Sequence, residues 1–196
     1  MRRRRRRLLR LGELTFLLAG ISALAFFGAA SLHSTIFQLE AEKQFEKLSR
    51  NDTAPFGPHQ WREDPSVPIG RLEIPAIGLK VMVLQGTDAW TLNCAVGHIS
   101  GTAFPGEPGN VGLAGHRDSF FRSLKDVALN AQIILRTPMN TYYYKVENIS
   151  IVTPNDTRVL MGAGHPNLTL VTCYPFYFIG KAPQRFIVNA RLIAVS

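Results

Sequence analysis

A small all-β domain, barrel or sandwich, carried behind an apolar N-terminal helix is the fold class this sequence predicts, and three observations predict it. From about Pro68 onward, short runs rich in Val, Ile, Tyr, Phe and Thr alternate with turn residues. Residues 14–32 contain no charged side chain. Between these two regions lies a segment dense in Pro and Gly, which reads as a linker and not as an element. With 196 residues, the chain has room for one ordinary domain plus an extra segment.

Taken in order, residues 1–13 form a basic tail, with arginines at Arg2 to Arg7 and at Arg10. The nineteen residues 14–32, at about 1.5 Å each, give a helix of roughly 28 Å, close to the thickness of a hydrocarbon core. The arginines before it predict a single-pass transmembrane anchor with a cytoplasmic N-terminus and the remaining chain outside the membrane. A cleaved signal peptide is the rival reading, because Gly28-Ala29-Ala30 resembles a small-residue cleavage site. Its apolar region usually runs about 7–15 residues, shorter than this one. Both readings export residues 33–196.

Residues 33–67 are expected to form a juxtamembrane helix and then the linker. Ile36, Leu39, Phe45 and Leu48 recur at helical spacings, and Glu40/Lys43 and Glu46/Arg50 form pairs on the wet face. The linker carries Pro55, Gly57, Pro58, Pro65 and Pro68. Within residues 68–196, strands are expected at 71–74, 79–84, 110–114, 132–136, 142–152, 168–173 and 185–195. A short helix is expected over 119–129, where Phe120, Leu124 and Val127 share one face.

The net charge of +8 is concentrated in the N-terminal tail; residues 67–196 carry eleven Lys and Arg against seven Asp and Glu, without a basic run. A basic tail beside an apolar stretch suits anionic lipid headgroups, and the missing basic stripe argues against nucleic-acid binding.

The chain has two cysteines, Cys94 and Cys173, and in an exported protein the bland expectation is a disulfide between them. The alternative makes Cys173 a free thiol. It ends a β-like run and is followed by Tyr174-Pro175, and proline cannot donate to a sheet ladder. The strand should therefore stop there and present the sulfur at a rim. A free cysteine, with a pKa of about 8.5, is only a few per cent thiolate at pH 7, so a nucleophile needs a proton-exchanging neighbour. His116, in Gly112-Leu113-Ala114-Gly115-His116-Arg117-Asp118, is the candidate. Arg185, at the start of the last strand, offers a charged fork of donors for a peptide carbonyl or a developing oxyanion. His116 precedes Cys173 by 57 residues, the reverse of the papain order, and the caspase pentapeptide around the cysteine is absent.

Thr169-Leu170-Val171-Thr172-Cys173 resembles the sortase signature, in which Thr-Leu, two variable positions and Cys end a barrel strand. Three further blocks are similar to that family. The first is Gly97-His98-Ile99 with Gly101-Thr102-Ala103 and Pro105-Gly106. The second runs from Asn110 through Asp118 to Phe120-Phe121-Arg122. The third is Ala182-Pro183-Gln184-Arg185-Phe186-Ile187-Val188. Their order and wording resemble class D sortases over residues 68–196.

The resemblance implies an eight-stranded β-barrel catalytic domain over 68–196, with one or two short helices. It implies a cysteine transpeptidase that cleaves a C-terminal sorting motif of the Leu-Pro-x-Thr-Gly kind after Thr. The acyl group would pass through a thioacyl-enzyme to an amine of peptidoglycan or of a pilin. Cys173 is then the nucleophile, His116 the proton carrier and Arg185 the substrate or oxyanion ligand. Thr172 would stand beside the reacting centre. The loop 153–167 would shape the donor pocket with Val159, Leu160 and Met161. Tyr174, with Phe176, Tyr177 and Phe178, would line the groove or, equally, close the barrel end. The implied partners are exported proteins bearing a sorting signal, the amine acceptor, and membrane lipid around the N-terminal helix. A protease using water as acceptor, and a tethered binding barrel without catalysis, are the alternatives.

The remaining candidates receive blander readings. Cys94 reads as core and His98 as structural. His33, His59 and His165 receive no role. Arg117 and Arg122 read as solvated or ion-paired, and Asp118, adjacent to His116, is not expected to complete a triad. No cofactor is expected: no paired Cys-x-x-Cys supports zinc, and no acidic cluster specifies the calcium that some sortases bind.

Overall fold

A computed structural model of the chain describes residues 2–50, 61, 64, 66–162 and 164–196. The chain divides into two compact units, Met1–Phe37 and Gln38–Ser196. Helix α1 is Arg2–Arg50. Among the described residues, no helix is long and apolar enough to cross a membrane. Part of the stretch expected to span, the side chains of residues 26, 27 and 29–32, lies outside the described residues, as does most of the expected linker.

Among the described residues of the second unit, eight strands close into a barrel. They are β1 (Gly70–Ile74), β2 (Leu79–Gln85), β3 (Val96–His98), β4 (Asn110–Ala114), β5 (Gln132–Arg136), β6 (Thr141–Val152), β7 (Asn167–Tyr174) and β8 (Gln184–Val195). Their order around the barrel is β1-β2-β3-β4-β7-β8-β6-β5, with β5 returning to β1. The β2–β3 and β4–β7 pairs are parallel and the others antiparallel. Seven strands agree with the sequence reading to within one residue at each end. The eighth, β3, was not expected: three residues with a central glycine carry no alternation to read. Gly97 is needed there because a Cβ would meet the Gly86 carbonyl oxygen at 2.1 Å.

Alternation builds the core. Leu72 and Ile74 of β1, Val111 and Leu113 of β4, Leu168 and Leu170 of β7, and Val188 and Ala190 of β8 all point inward and are buried. Each fully buried aliphatic side chain contributes roughly 1.5–3 kcal/mol relative to exposure. The expected helix over 119–129 is instead 3-10 structure over Phe120–Asp126, kinked at Phe121. Its buried residues are Phe121 and Leu124, followed by Val127, at the three-residue spacing of a 3-10 helix, and Phe120 is only partly buried. Helix α2, Ala89–Cys94, joins β2 to the parallel β3 and is capped by Asp88, whose carboxylate accepts from the Trp90 and Thr91 N–H groups.

The second unit reaches back beyond residue 68. Trp61 is buried and stacks on Phe104 with ring centroids 5.8 Å apart. Residues 38–50 of α1 bury Ala41 and Phe45. The Gln38 amide works like a fragment of strand: its Nε2 donates to the Cys94 carbonyl at 2.6 Å, and its Oε1 accepts from the Met82 N–H at 2.9 Å. Glu42 forms ion pairs with Arg71 and Lys80. Met82 and Leu84, on the outward face of β2, are buried as well, which is why β2 reads as apolar on both faces.

Candidate active site

The barrel order places the ends of β4, β7 and β8 side by side. Cys173 pairs directly with Arg185 across β7 and β8. Leu168 and Leu170 point into the core, so Cys173, of opposite parity, points outward, and Arg185 shares that face. On the other side, Ala114 of β4 pairs with Val171 of β7. The chain continues one residue past the ladder: the Gly115 N–H donates to the Val171 carbonyl at 3.2 Å, and the Gly115 carbonyl accepts from Thr172 Oγ1 at 2.7 Å. His116 follows immediately, beside the position that Cys173 occupies on β7.

The turn carrying His116 is held from below. A Cβ at Gly115 would lie 2.8 Å from the Phe121 ring, so glycine lets that fully buried ring pack against the turn. The Phe121 N–H donates to the His116 carbonyl at 3.1 Å. His116, Cys173 and Arg185 are all half-buried. Arg185 Nη1 donates to the carbonyls of Gln184, at 3.0 Å, and Ala182, at 3.4 Å. No hydrogen bond joins Cys173 to His116 among the described residues. Sites without substrate commonly hold such pairs apart and tighten them in the complex.

The outward face of β4, β7 and β8 makes a floor leading to this rim. Its rows follow the register: Gly112, Thr169 and Asn189 in one, then Ala114, Val171 and Ile187, then Cys173 and Arg185. A polar network crosses the lower row. Thr169 Oγ1 donates to Asn110 Oδ1 at 2.9 Å and accepts from Asn189 Nδ2 at 2.9 Å, while Asn110 Nδ2 donates to the Leu160 carbonyl at 3.0 Å. This network holds the 3-10 segment Thr157–Leu160 over the sheet. Leu160 and Met161 line one side of a cavity of about 620 Å³, with Thr102, Ala103 and Asn110 on the other. Val159 is half-buried in the same segment.

Two of the residues expected near the substrate, Thr172 and Tyr174, fall on the inward parity of β7. Thr172 is buried on the inward parity, and its hydroxyl donates to the Gly115 carbonyl, tying β7 to the turn that carries His116. Tyr174 also falls on the inward parity. It packs with Phe186 and Phe176 at centroid distances of 6.2 and 6.0 Å and closes the barrel end. Tyr177 and Phe178 are exposed.

Both cysteines are free thiols, so the disulfide reading is not met. Cys94 is buried, and burial first, then the Asp88 carboxylate, push its thiol pKa up. His98 is buried between Gln85 Oε1 on one ring nitrogen and the Ala103 carbonyl on the other, each at 2.9 Å, and stacks on Phe104 at 4.4 Å. That is the structural role expected of it. Among the described residues, no three His, Cys, Asp or Glu side chains gather closely enough to hold a metal ion.

One residue of the site was misread from sequence. Arg117, expected to be solvated or ion-paired, is half-buried. It donates to the carbonyls of Pro175, Phe178 and Gly180 at 2.9, 2.7 and 2.9 Å. Its acceptors are backbone atoms 58 or more residues away, and no side-chain pattern announces them.

The sortase domain family model matches residues 72–193. The chain belongs to the sortase family. This sortase is 34% identical over 125 residues to Sortase D of Bacillus subtilis (strain 168), covering 63% of each chain. It is 31% identical over 132 residues to Sortase A of Bacillus anthracis, covering 65% of this chain and 61% of that one. It therefore spans less than two thirds of the length of these curated relatives. Among solved structures, a Sortase D5 transpeptidase of Clostridium perfringens aligns with TM-score 0.68 at 24% identity, over 81% of this chain and 99% of that one. Sortase E of Streptomyces avermitilis aligns with TM-score 0.57 at 26% identity, over 66% and 90%. The class D likeness read from the sequence blocks agrees with the class D relatives in both comparisons.

Proposed function

We propose that this sortase is a membrane-anchored cysteine transpeptidase acting on exported proteins with a C-terminal sorting motif of the Leu-Pro-x-Thr-Gly kind. The observation that carries this reading is the register setting Cys173 opposite Arg185, with the His116 turn tied to the next strand by Gly115 and Thr172.

In the first half-reaction, the Cys173 sulfur attacks the carbonyl carbon of the motif's Thr, and the thiol proton passes to His116. Arg185, swinging from its two backbone acceptors, stabilises the oxyanion. The carbon–nitrogen bond breaks, and His116 gives a proton to the leaving amine, which departs with the remainder of the signal. A thioester on Cys173 remains. In the second half, an amine of peptidoglycan or of a pilin attacks that thioester and yields its proton to His116, and the sulfur leaves. Val159 and Leu160, held over the outward floor, contact the apolar part of the motif.

The anchor is supported by the uncharged stretch 14–32 and by exposed Leu14, Phe16, Leu17, Leu18, Ile21 and Leu24 within it. The basic residues before it set a cytoplasmic N-terminus and leave the barrel outside.

The test is to incubate the full chain in detergent with a sorting peptide and a small amine, and to follow products by mass spectrometry. A peptide-amine product and an acyl adduct on Cys173 are expected. Free acid as the sole product would make the protein a protease, and no adduct at all would leave it a binding barrel.

A further inference from the structure

Between Cys173 and Arg185 the chain leaves the sheet as a loop, residues 175–183, which Phe176 anchors near its start by packing on Phe186 and Tyr174 at centroid distances of 5.2 and 6.0 Å. Its backbone makes one internal turn bond, from the Phe178 N–H to the Pro175 carbonyl at 3.3 Å. Tyr177 and Ile179 are exposed, so little burial holds its tip in place. Beyond Phe176, and the Ala182 carbonyl that accepts from Arg185, what meets it comes from the other side of the site. Arg117, next in sequence to His116, reaches three of its carbonyls, and its guanidinium carbon stands 5.9 Å from the Phe178 ring centroid. Arg122 lies over the Tyr177 ring at 5.7 Å.

We propose that Arg117 is a positioning residue that fixes the loop between Cys173 and Arg185 onto the turn carrying His116. The three bonds are charge-assisted, which makes each roughly twice as strong as a neutral one. They converge on one planar fork, which a lysine cannot reproduce. The nucleophile and the arginine sit at the two roots of the loop, and the histidine sits at the root of the clamp. When the fork is in place, all three hold one arrangement. When it is lost, the ladder still pairs Cys173 with Arg185, and what loosens is the loop above them and its hold on the His116 turn. A misplacement of about 1 Å in such a site costs on the order of 10²-fold in rate.

The effect on rate rests on the transpeptidase reading, but the clamp does not, so two readouts are taken on the full chain in detergent. The first is chymotrypsin cleavage after Tyr177 and Phe178, followed by mass spectrometry under native conditions. The second is the kinetics of acyl transfer to an amine. Arg117→Ala is expected to raise cleavage in the loop about tenfold or more, with the unfolding midpoint close to that of the wild type. It is expected to lower kcat on the order of 10²-fold, with the donor KM within about twofold, and to raise the share of free acid among the products. Arg117→Lys should fall between the two in both readouts, and it serves as the working variant if Arg117→Ala fails to fold.

Loop cleavage as slow in the variants as in the wild type overturns the clamp. Faster cleavage with unchanged kcat overturns its part in the reaction. A wild-type chain that transfers nothing sinks the transpeptidase reading instead, while the cleavage rates still decide whether Arg117 holds the loop.

Discussion

Replacing Cys173 with alanine removes the only thiol that the sheet presents outward at this rim among the described residues. Transfer should fall by about 10⁴-fold or more, and the acyl adduct should vanish from the mass spectrum. Arg185→Ala should cost about 10²–10³-fold in kcat, the loss typical of one oxyanion donor, and Arg185→Lys should recover little of it because the planar fork is gone. The two thiols should also separate by reactivity. Native-state alkylation should modify half-exposed Cys173 and spare Cys94 until the chain unfolds, because Cys94 is buried away from the reagent and burial pushes its thiol pKa further up. Rapid labelling of both would show that the packing around the end of α2 opens. At this scale, the residues legible in the sequence were those embedded in short strings of a distinctive order. Arg117 was not legible, because its partners are carbonyl oxygens, which every residue carries and no pattern marks.

Elements repeat that contrast. Seven strands could be read because alternation or a β-branched run survives in five residues or more. Strand β3 has three residues and no outward-facing polar one, and it exists because α2 delivers it alongside β2. The 3-10 segment over Phe120–Asp126 was read with the wrong period, since 3.0 and 3.6 residues per turn diverge by only one position over this length. The segment Thr157–Leu160 was read as loop, and what fixes it is a side chain from another strand. Asn110→Ala should therefore free that segment without touching the rim: donor KM should rise severalfold with kcat little changed, as expected for lost uniform binding. An equal fall in kcat would place Asn110 in the chemistry itself. Gln38→Ala leaves the Met82 N–H and the Cys94 carbonyl without their partner. About 1–2 kcal/mol of stability should be lost, or roughly 2–8 °C in melting temperature at this domain size.

For the molecule as a whole, closure of the barrel was the part least legible. Which strands neighbour each other is a matter of long-range pairing, and the parallel β4–β7 contact joins residues more than fifty apart in sequence. The resemblance supplied that closure; the hydrophobic pattern did not. The packing of residues 38–50 against the barrel was equally hidden, because charge pairs on a helix look the same facing water or another element. That packing has a pH signature. A hydrogen bond from Lys80, then the charges of Lys80 and Arg71, hold the Glu42 carboxyl below its ordinary value of 4.5. A carboxylate depressed in the folded state contributes its stability above that ordinary value and loses it as pH falls through the lowered one. Melting temperature should therefore drop more steeply below about pH 4.5 in the wild type than in Glu42→Gln; parallel curves would show that the pair adds nothing.

Strand parity gives the nucleophile a binary address. Outward and inward positions alternate along β7 with no intermediate, so inserting a single residue between Leu168 and Thr172 would rotate the sulfur into the apolar interior and swing a core side chain out into water. Inserting two would restore the facing but slide the thiol past its neighbours. Along that segment counting, more than chemistry, decides whether the strand still delivers a reactive atom.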